Sequence, residues 1–192
     1  MKRKARKKVS QLLPRREVAE RLKVAAISYL IRQGYSCALE LGLQTWGKTR
    51  ADVVGVNLKS NLVICEIKSS SQDFMVDNSR NKWKKYSAFS NKGYFVVPKY
   101  LMKQKVGSVM IEAVKDQGWG ILILEDNGRL KSVVRAKFRN MKPSFKRQII
   151  SRLAWRGGIS TANTVPTSVY LDPPLNNTKI KTKKNHEDNP SF

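Results

Sequence analysis

Asp52, Glu66 and Lys68 are the residues whose types and spacing could do chemistry. Fourteen positions separate the two acids, and Glu66-Ile67-Lys68 closes an apolar run, Leu62-Val63-Ile64-Cys65. Side chains alternate faces along a strand, so Glu66 and Lys68 point the same way. If that strand pairs with the one carrying Asp52, two carboxylates and an ammonium converge on one spot. Such a group suits phosphodiester hydrolysis. Carboxylates on adjacent strands bind Mg²⁺, a hard ion that prefers oxygen. The metal would polarise a phosphate and lower the pKa of a bound water. Lys68 would hold or help deprotonate that water and offset charge in the transition state. The competing reading of Glu-x-Lys is a solvated, salt-bridged strand face. The apolar run before Glu66 argues against it, because charges beside a central strand need a reason.

The elements that must position this group follow from hydrophobic period and turn residues. Pro14 begins a helical pattern to about Gln33, with Val18, Leu22, Ala25, Ala26, Tyr29 and Leu30 near one face. Gly34 stands where a left-handed cap ends such a helix. Tyr35–Leu43, Ala51–Val56 and Leu62–Lys68 read as strands, and Asn57–Asn61 as the turn between the last two. Ser69–Asp77 reads as a loop, Lys82–Phe89 as a helix and Gly93–Val97 as a short buried strand stopped by Pro98. Residues 108–116 read as a helix. Trp119–Glu125 and Leu130–Lys137 form a hairpin across Asp126-Asn127-Gly128. Pro143 opens a last basic helix to about Trp155. This order predicts an α/β fold around a mixed central sheet flanked by helices. The expected organisation is a basic flexible arm at 1–13, one domain at 14–157 and a mostly disordered tail at 158–192, where Ser, Thr, Asn, Pro and Lys dominate.

Composition sets the partner. Lys and Arg number 38 against 14 Asp and Glu, for a net charge of +24. That excess points to a polyanion, with nucleic acid ahead of an anionic membrane surface or an assembly-type basic protein. The run Lys2, Arg3, Lys4, Arg6, Lys7 and Lys8 reads as an arm that contacts phosphates or as a solvated tail. The two cysteines, Cys37 and Cys65, sit in apolar runs and read as free thiols in a reducing compartment. No apolar stretch reaches the roughly 18 residues of a membrane span, and no cleavage signal follows Val24–Ile31. A cytoplasmic protein, nucleoid-associated when bound to DNA, is expected.

Other chemistries are excluded or weak. The only histidine is His186, in the expected tail, which removes His-based triads and zinc sites. Gly42-Leu-Gln-Thr-Trp-Gly47-Lys48-Thr49 fits the phosphate-loop pattern G-x-x-x-x-G-K-[ST]. The segment that follows, Arg50-Ala-Asp-Val-Val-Gly-Val, reads as a strand and not as the helix a phosphate loop needs, so a hairpin turn is the better reading.

The ordered set Asp52, then Glu66-x-Lys68 on the next strand, resembles the PD-(D/E)XK (restriction-endonuclease-like) nucleases, with Ala51 in place of the usual proline. The closer likeness is to the MmcB-like DNA-repair proteins. It is carried by Arg50-Ala51-Asp52-Val53, Glu66-Ile67-Lys68-Ser69-Ser70, Asp73-Phe74, Lys82-Trp83 with Tyr86, Tyr94-Phe95-Val96-Val97-Pro98 and Gly120–Gly128, over about residues 15–155. The resemblance implies a four-stranded mixed sheet and Mg²⁺ or Mn²⁺ at Asp52 and Glu66, with the Ile67 carbonyl as a further ligand and Lys68 as the catalytic lysine. The stretch between Phe74 and Trp83 is longer than that pattern expects.

Glu20 and Glu40 are further metal-ligand candidates, against a helix salt bridge for Glu20 and a surface position for Glu40. Arg50, Ser69, Lys82, Lys84 and Lys85 are candidate phosphate contacts. Trp83 and Tyr86 are core residues or base-stacking platforms. Asp73 and Asp77 are loop caps or help shape the site. The expectation is therefore a Mg²⁺-dependent deoxyribonuclease acting in repair, recombination or a mobile element's DNA processing, with RNA as a second substrate. The alternatives are a non-catalytic nucleic-acid-binding protein on the same fold and a homodimeric junction resolvase.

Overall fold

The computed structural model describes residues 14–44 and 49–162. Six strands form one sheet in the order β1-β2-β3-β4-β5-β6. They are β1 (Tyr35–Gly42), β2 (Arg50–Asn57), β3 (Leu62–Ile67), β4 (Lys92–Pro98), β5 (Gly120–Leu124) and β6 (Leu130–Val134). The helices are α1 (Arg15–Ile31), α2 (Ser71–Ser79), α3 (Lys82–Tyr86), α4 (Lys99–Met102), α5 (Lys105–Gln117) and α6 (Pro143–Ala162). The chain divides after Arg156, and the sheet lies in the first unit. The mixed α/β class is as expected, but six strands replace the four that the family resemblance implied.

Strands β1, β2 and β3 pair antiparallel, β3-β4-β5 parallel, and β5-β6 antiparallel. Parallel neighbours need crossovers, and helices supply them. Helices α2 and α3 carry the chain from β3 to β4, and α4 and α5 carry it from β4 to β5. Both faces of the centre are thereby covered, which is why β3 is buried at every position. On one face α1 packs Leu22, Ala26 and Leu30 on Val53, Cys65 and Val96. On the other, Phe74, Trp83 and Trp119 surround Phe95 with ring centroids 5.2 to 5.3 Å away.

Turn chemistry fixes the register that matters. The Asn57 side-chain oxygen accepts from the N–H groups of Lys59 and Asn61, closing the β2–β3 turn. Strand β2 follows β1 through a hairpin, with the Leu43 N–H donating to the Thr49 carbonyl at 2.8 Å. No helix opens after Thr49, so Gly42–Thr49 is not a phosphate loop; residues 45–48 lie outside the described residues. The Asp126-Asn127-Gly128 hairpin forms, with Gly128 at φ 76°.

One expected loop is a helix. Ser69–Asp77 was read as irregular, yet Ser71–Ser79 forms α2, because the Ser70 hydroxyl accepts from the Asp73 N–H at 3.2 Å. Ser70-x-x-Asp73 is a capping sequence that announces a helix start. The last helix also runs beyond the expected end at Trp155, to Ala162.

Candidate active site

Val53 stands opposite Cys65 in the β2–β3 register, so Asp52 faces Glu66 across the same two strands. There the carboxylates take over from the backbone ladder. An oxygen of Asp52 accepts from the Ile67 N–H at 2.7 Å, and the Asp52 N–H donates to a Glu66 oxygen at 3.4 Å. Each acid thus satisfies an N–H of the strand opposite, which fixes both heads at the end of the pairing. Glu66 is only 2% exposed. Burial raises the Asp52 carboxyl above the ordinary carboxylate range, while the Ile67 N–H and Lys68 pull it back in part.

Lys68 follows on the same face and is 3% exposed. Its backbone N–H donates to the Val96 carbonyl at 3.0 Å, holding it beside β4. Its ammonium meets Asp77 at 2.5 Å and lies 3.8 Å from Asp73 and 4.0 Å from Glu66. The capped start of α2 places Asp73 and Asp77 one turn apart over this lysine. Burial acts to lower the Lys68 pKa, but Glu66 and Asp77 outweigh it, and the group stays above its ordinary value. With carboxylates on three sides, the ammonium form of Lys68 is favoured over the neutral amine.

Three carboxylates surround this one ammonium, and Asp52 adds a fourth beside Glu66. One ammonium cannot neutralise four acids in a poorly solvated site. The Asp52 and Glu66 carboxylates, held against the same strand pair, are oxygen donors of the kind a hard divalent cation would take. Among the described residues no three Asp, Glu, His or Cys side chains are grouped to hold a metal. Mg²⁺ suits two carboxylates because it keeps several of its waters.

Glu20 and Glu40 sit differently from the expectation that they reach a metal. Glu20 pairs with Lys23 one turn along α1 at 3.2 Å, with its side chain largely exposed. Glu40 does lie opposite Asp52, between the register pairs Leu39–Val53 and Leu41–Ala51. Its carboxylate is engaged by Lys23 at 2.7 Å and Arg50 at 2.9 Å, on a backbone with φ 51°.

Trp83 and Tyr86 leave no face for a base. Both are buried, Trp83 against Phe95 and Trp119, and the stacking reading of them is corrected. The short helix turns both rings inward, where apolar burial outweighs any gain at the surface. The Tyr86 hydroxyl donates to the Arg50 carbonyl at 3.0 Å, anchoring the start of β2 next to Asp52. Arg50, Lys84 and Lys85 are exposed, Ser69 is half-buried, and α3 begins at Lys82. Lys2, Arg3, Lys4, Arg6, Lys7 and Lys8 lie outside the described residues. Sequence reasoning named Asp77 as a loop cap or as a residue that shapes the site, without pairing it with Lys68.

The profile of the family described as DNA repair protein MmcB-like matches residues 8–157. The chain belongs to the MmcB-like DNA repair protein family. No curated protein sequence matches it. A solved structure, the SPO1766 protein of unknown function from Silicibacter pomeroyi, is similar in fold. It superposes with a TM-score of 0.62 at 21% identity, covering 83% of this chain and 97% of that one. Asp52, Glu66, Lys68 and Asp77 all fall within the MmcB-like span. Membership of a DNA repair family accords with the net charge of +24. Among the described residues of this MmcB-like chain no helix is long and apolar enough to cross a membrane.

Proposed function

We propose that this MmcB-like protein is a Mg²⁺-dependent nuclease of the PD-(D/E)XK kind that hydrolyses phosphodiester bonds in DNA. The observation that carries the reading is the reciprocal hold of Asp52 and Glu66 across β2 and β3, with the Lys68 ammonium on the same face. Asp52 and Glu66 would hold the metal, with the Ile67 carbonyl as a third protein oxygen; Mn²⁺ would serve in place of Mg²⁺. A bound cation of this type polarises a phosphate and acidifies a coordinated water. The protein's own part is electrostatic and positional. Lys68, fixed by Asp77, sets a positive charge where the pentacoordinate phosphate would gain negative charge. Being protonated, it orients the attacking water and does not take its proton. The surface cations, Arg50 among them, would draw the DNA backbone in against the local repulsion of the acids.

The Lys68–Asp77 contact favours a second reading, in which that pair is a structural lock tying α2 to the sheet of a DNA-binding protein that does not cut. A junction resolvase built from two copies is a narrower form of the first reading.

Labelled single-stranded, duplex, flapped and four-way-junction DNA, each with Mg²⁺, Mn²⁺ or EDTA, test the proposal. Cutting of at least one substrate with metal and none with EDTA is expected. Tight binding without cutting under every metal condition would transfer the case to the second reading.

A further inference from the structure

Helix α6 carries Lys146, Arg147, Arg152 and Arg156 and no acidic residue. Phe145, Ile149 and Leu153 form its inward stripe, with Phe145 on Phe89 at 4.9 Å. Beside that stripe, two arginines one turn apart reach the end of β1. Arg152 donates to the Gly42 carbonyl at 3.1 Å, and Arg156 donates to the Glu40 carbonyl at 2.9 Å. Glu40 is the residue opposite Asp52, and its carboxylate also holds the exposed Arg50. The helix is thereby pinned next to the acid pair, with arginines at the junction.

Trp155 lies between those arginines in sequence and is 69% exposed, whereas Trp83 and Trp119 are each 1% exposed. Leaving an indole in water forfeits the burial energy its size offers. An exposed aromatic ring on a basic helix, one residue before an arginine that reaches Glu40, matches one ligand chemistry, an unstacked nucleobase with its flanking phosphates. In a duplex the base faces are stacked on one another and are not offered.

We propose that Trp155 is a stacking platform for an unpaired base, with Arg156 and Arg50 taking the neighbouring phosphates, so that DNA reaches the acid pair as a single strand. The proposal rests on the reading of the chain as a DNA nuclease and names the strand form of that substrate. Arg156 gives one N–H to Glu40 and, as an arginine, carries four more donors for a phosphate.

The test uses the full chain in EDTA, so that no cleavage enters, with Trp46→Phe so that the only other tryptophans are Trp83 and Trp119, both buried. Oligothymidylate and a hairpin duplex of equal charge are the probes. Oligothymidylate should quench the Trp155 emission. Trp155→Ala should weaken oligothymidylate binding about tenfold and leave duplex binding unchanged. Trp155→Phe should restore most of the loss. No quenching, no loss on Trp155→Ala, or an equal loss on both probes would overturn the proposal. Failure to cut DNA with Mg²⁺ would sink the nuclease reading and leave this binding result standing, so the two failures are distinguishable.

Discussion

The Lys68 ammonium and the Asp77 carboxylate, nine residues apart and in different elements, meet in a buried contact at the end of β3. Asp77 belongs to α2, so a single interaction both neutralises Lys68 and docks the helix. Removing Asp77 leaves Lys68 only the more distant Glu66 and Asp73 carboxylates, at 4.0 and 3.8 Å. Asp77→Ala should therefore destabilise the protein by about 1.5–3 kcal/mol, the cost of one charge-assisted hydrogen bond, read as a lower urea midpoint. The double variant Lys68→Met/Asp77→Leu should not recover that loss at pH 7, because it also removes the ammonium 4.0 Å from the buried Glu66 carboxylate. An Asp77→Ala midpoint equal to wild type would show the contact to be without energetic consequence.

Asp52 gives a pH prediction of definite sign. Burial raises its folded-state carboxyl above the ordinary carboxylate value. The folded protein therefore holds that proton more tightly than the unfolded chain, and stability from this group falls as pH climbs through the folded value. In EDTA, Asp52→Asn should be more stable than wild type at pH 7, and the advantage should shrink toward pH 3. Lys68 has the same sign at the alkaline end. Its raised pKa contributes stability that is present below 10.5 and lost as pH rises through the folded value. Denaturation midpoints across pH check both, and an Asp52→Asn penalty at pH 7 would contradict the first.

Trp83 and Tyr86 should behave as core and not as DNA contacts. Trp83→Ala should cost about 3–5 kcal/mol through lost burial and a cavity beside Phe95. Tyr86→Phe keeps the ring and removes only the hydrogen bond to the Arg50 carbonyl, for about 1 kcal/mol. DNA affinity of Tyr86→Phe should match wild type in a fluorescence-anisotropy titration. A clear fall in affinity with an unchanged melting curve would show that the Tyr86 hydroxyl, and not only the core, serves DNA binding.

The acid pair and Lys68 were legible because strand period and a short polar turn are local properties. Alternation alone put Glu66 and Lys68 on one face, and the turn at Asn57–Asn61 set Asp52 opposite. The pairing of Asp77 with Lys68 was hidden by the reading of its segment as a loop, although Ser70-x-x-Asp73 carried the helix signal. Trp83 and Tyr86 were ambiguous because so short a helix shows too little period to tell an inward face from an outward one. The hold of Arg152 and Arg156 on β1 spans more than a hundred residues, and nothing local announces it. All six strand segments were legible locally; that they join in one sheet, where the family resemblance implied four strands, is a property of pairing and not of any single segment.

The most direct test of the central claim is the rate at which Lys68→Ala cleaves labelled DNA in Mg²⁺, with affinity for the same DNA measured in parallel. The account predicts that wild type cuts, that Lys68→Ala loses at least about a hundredfold in rate, in line with removal of one electrostatic stabiliser, and that both bind alike. Cleavage by Lys68→Ala at the wild-type rate would contradict the assignment of Lys68, Asp52 and Glu66 as one catalytic site.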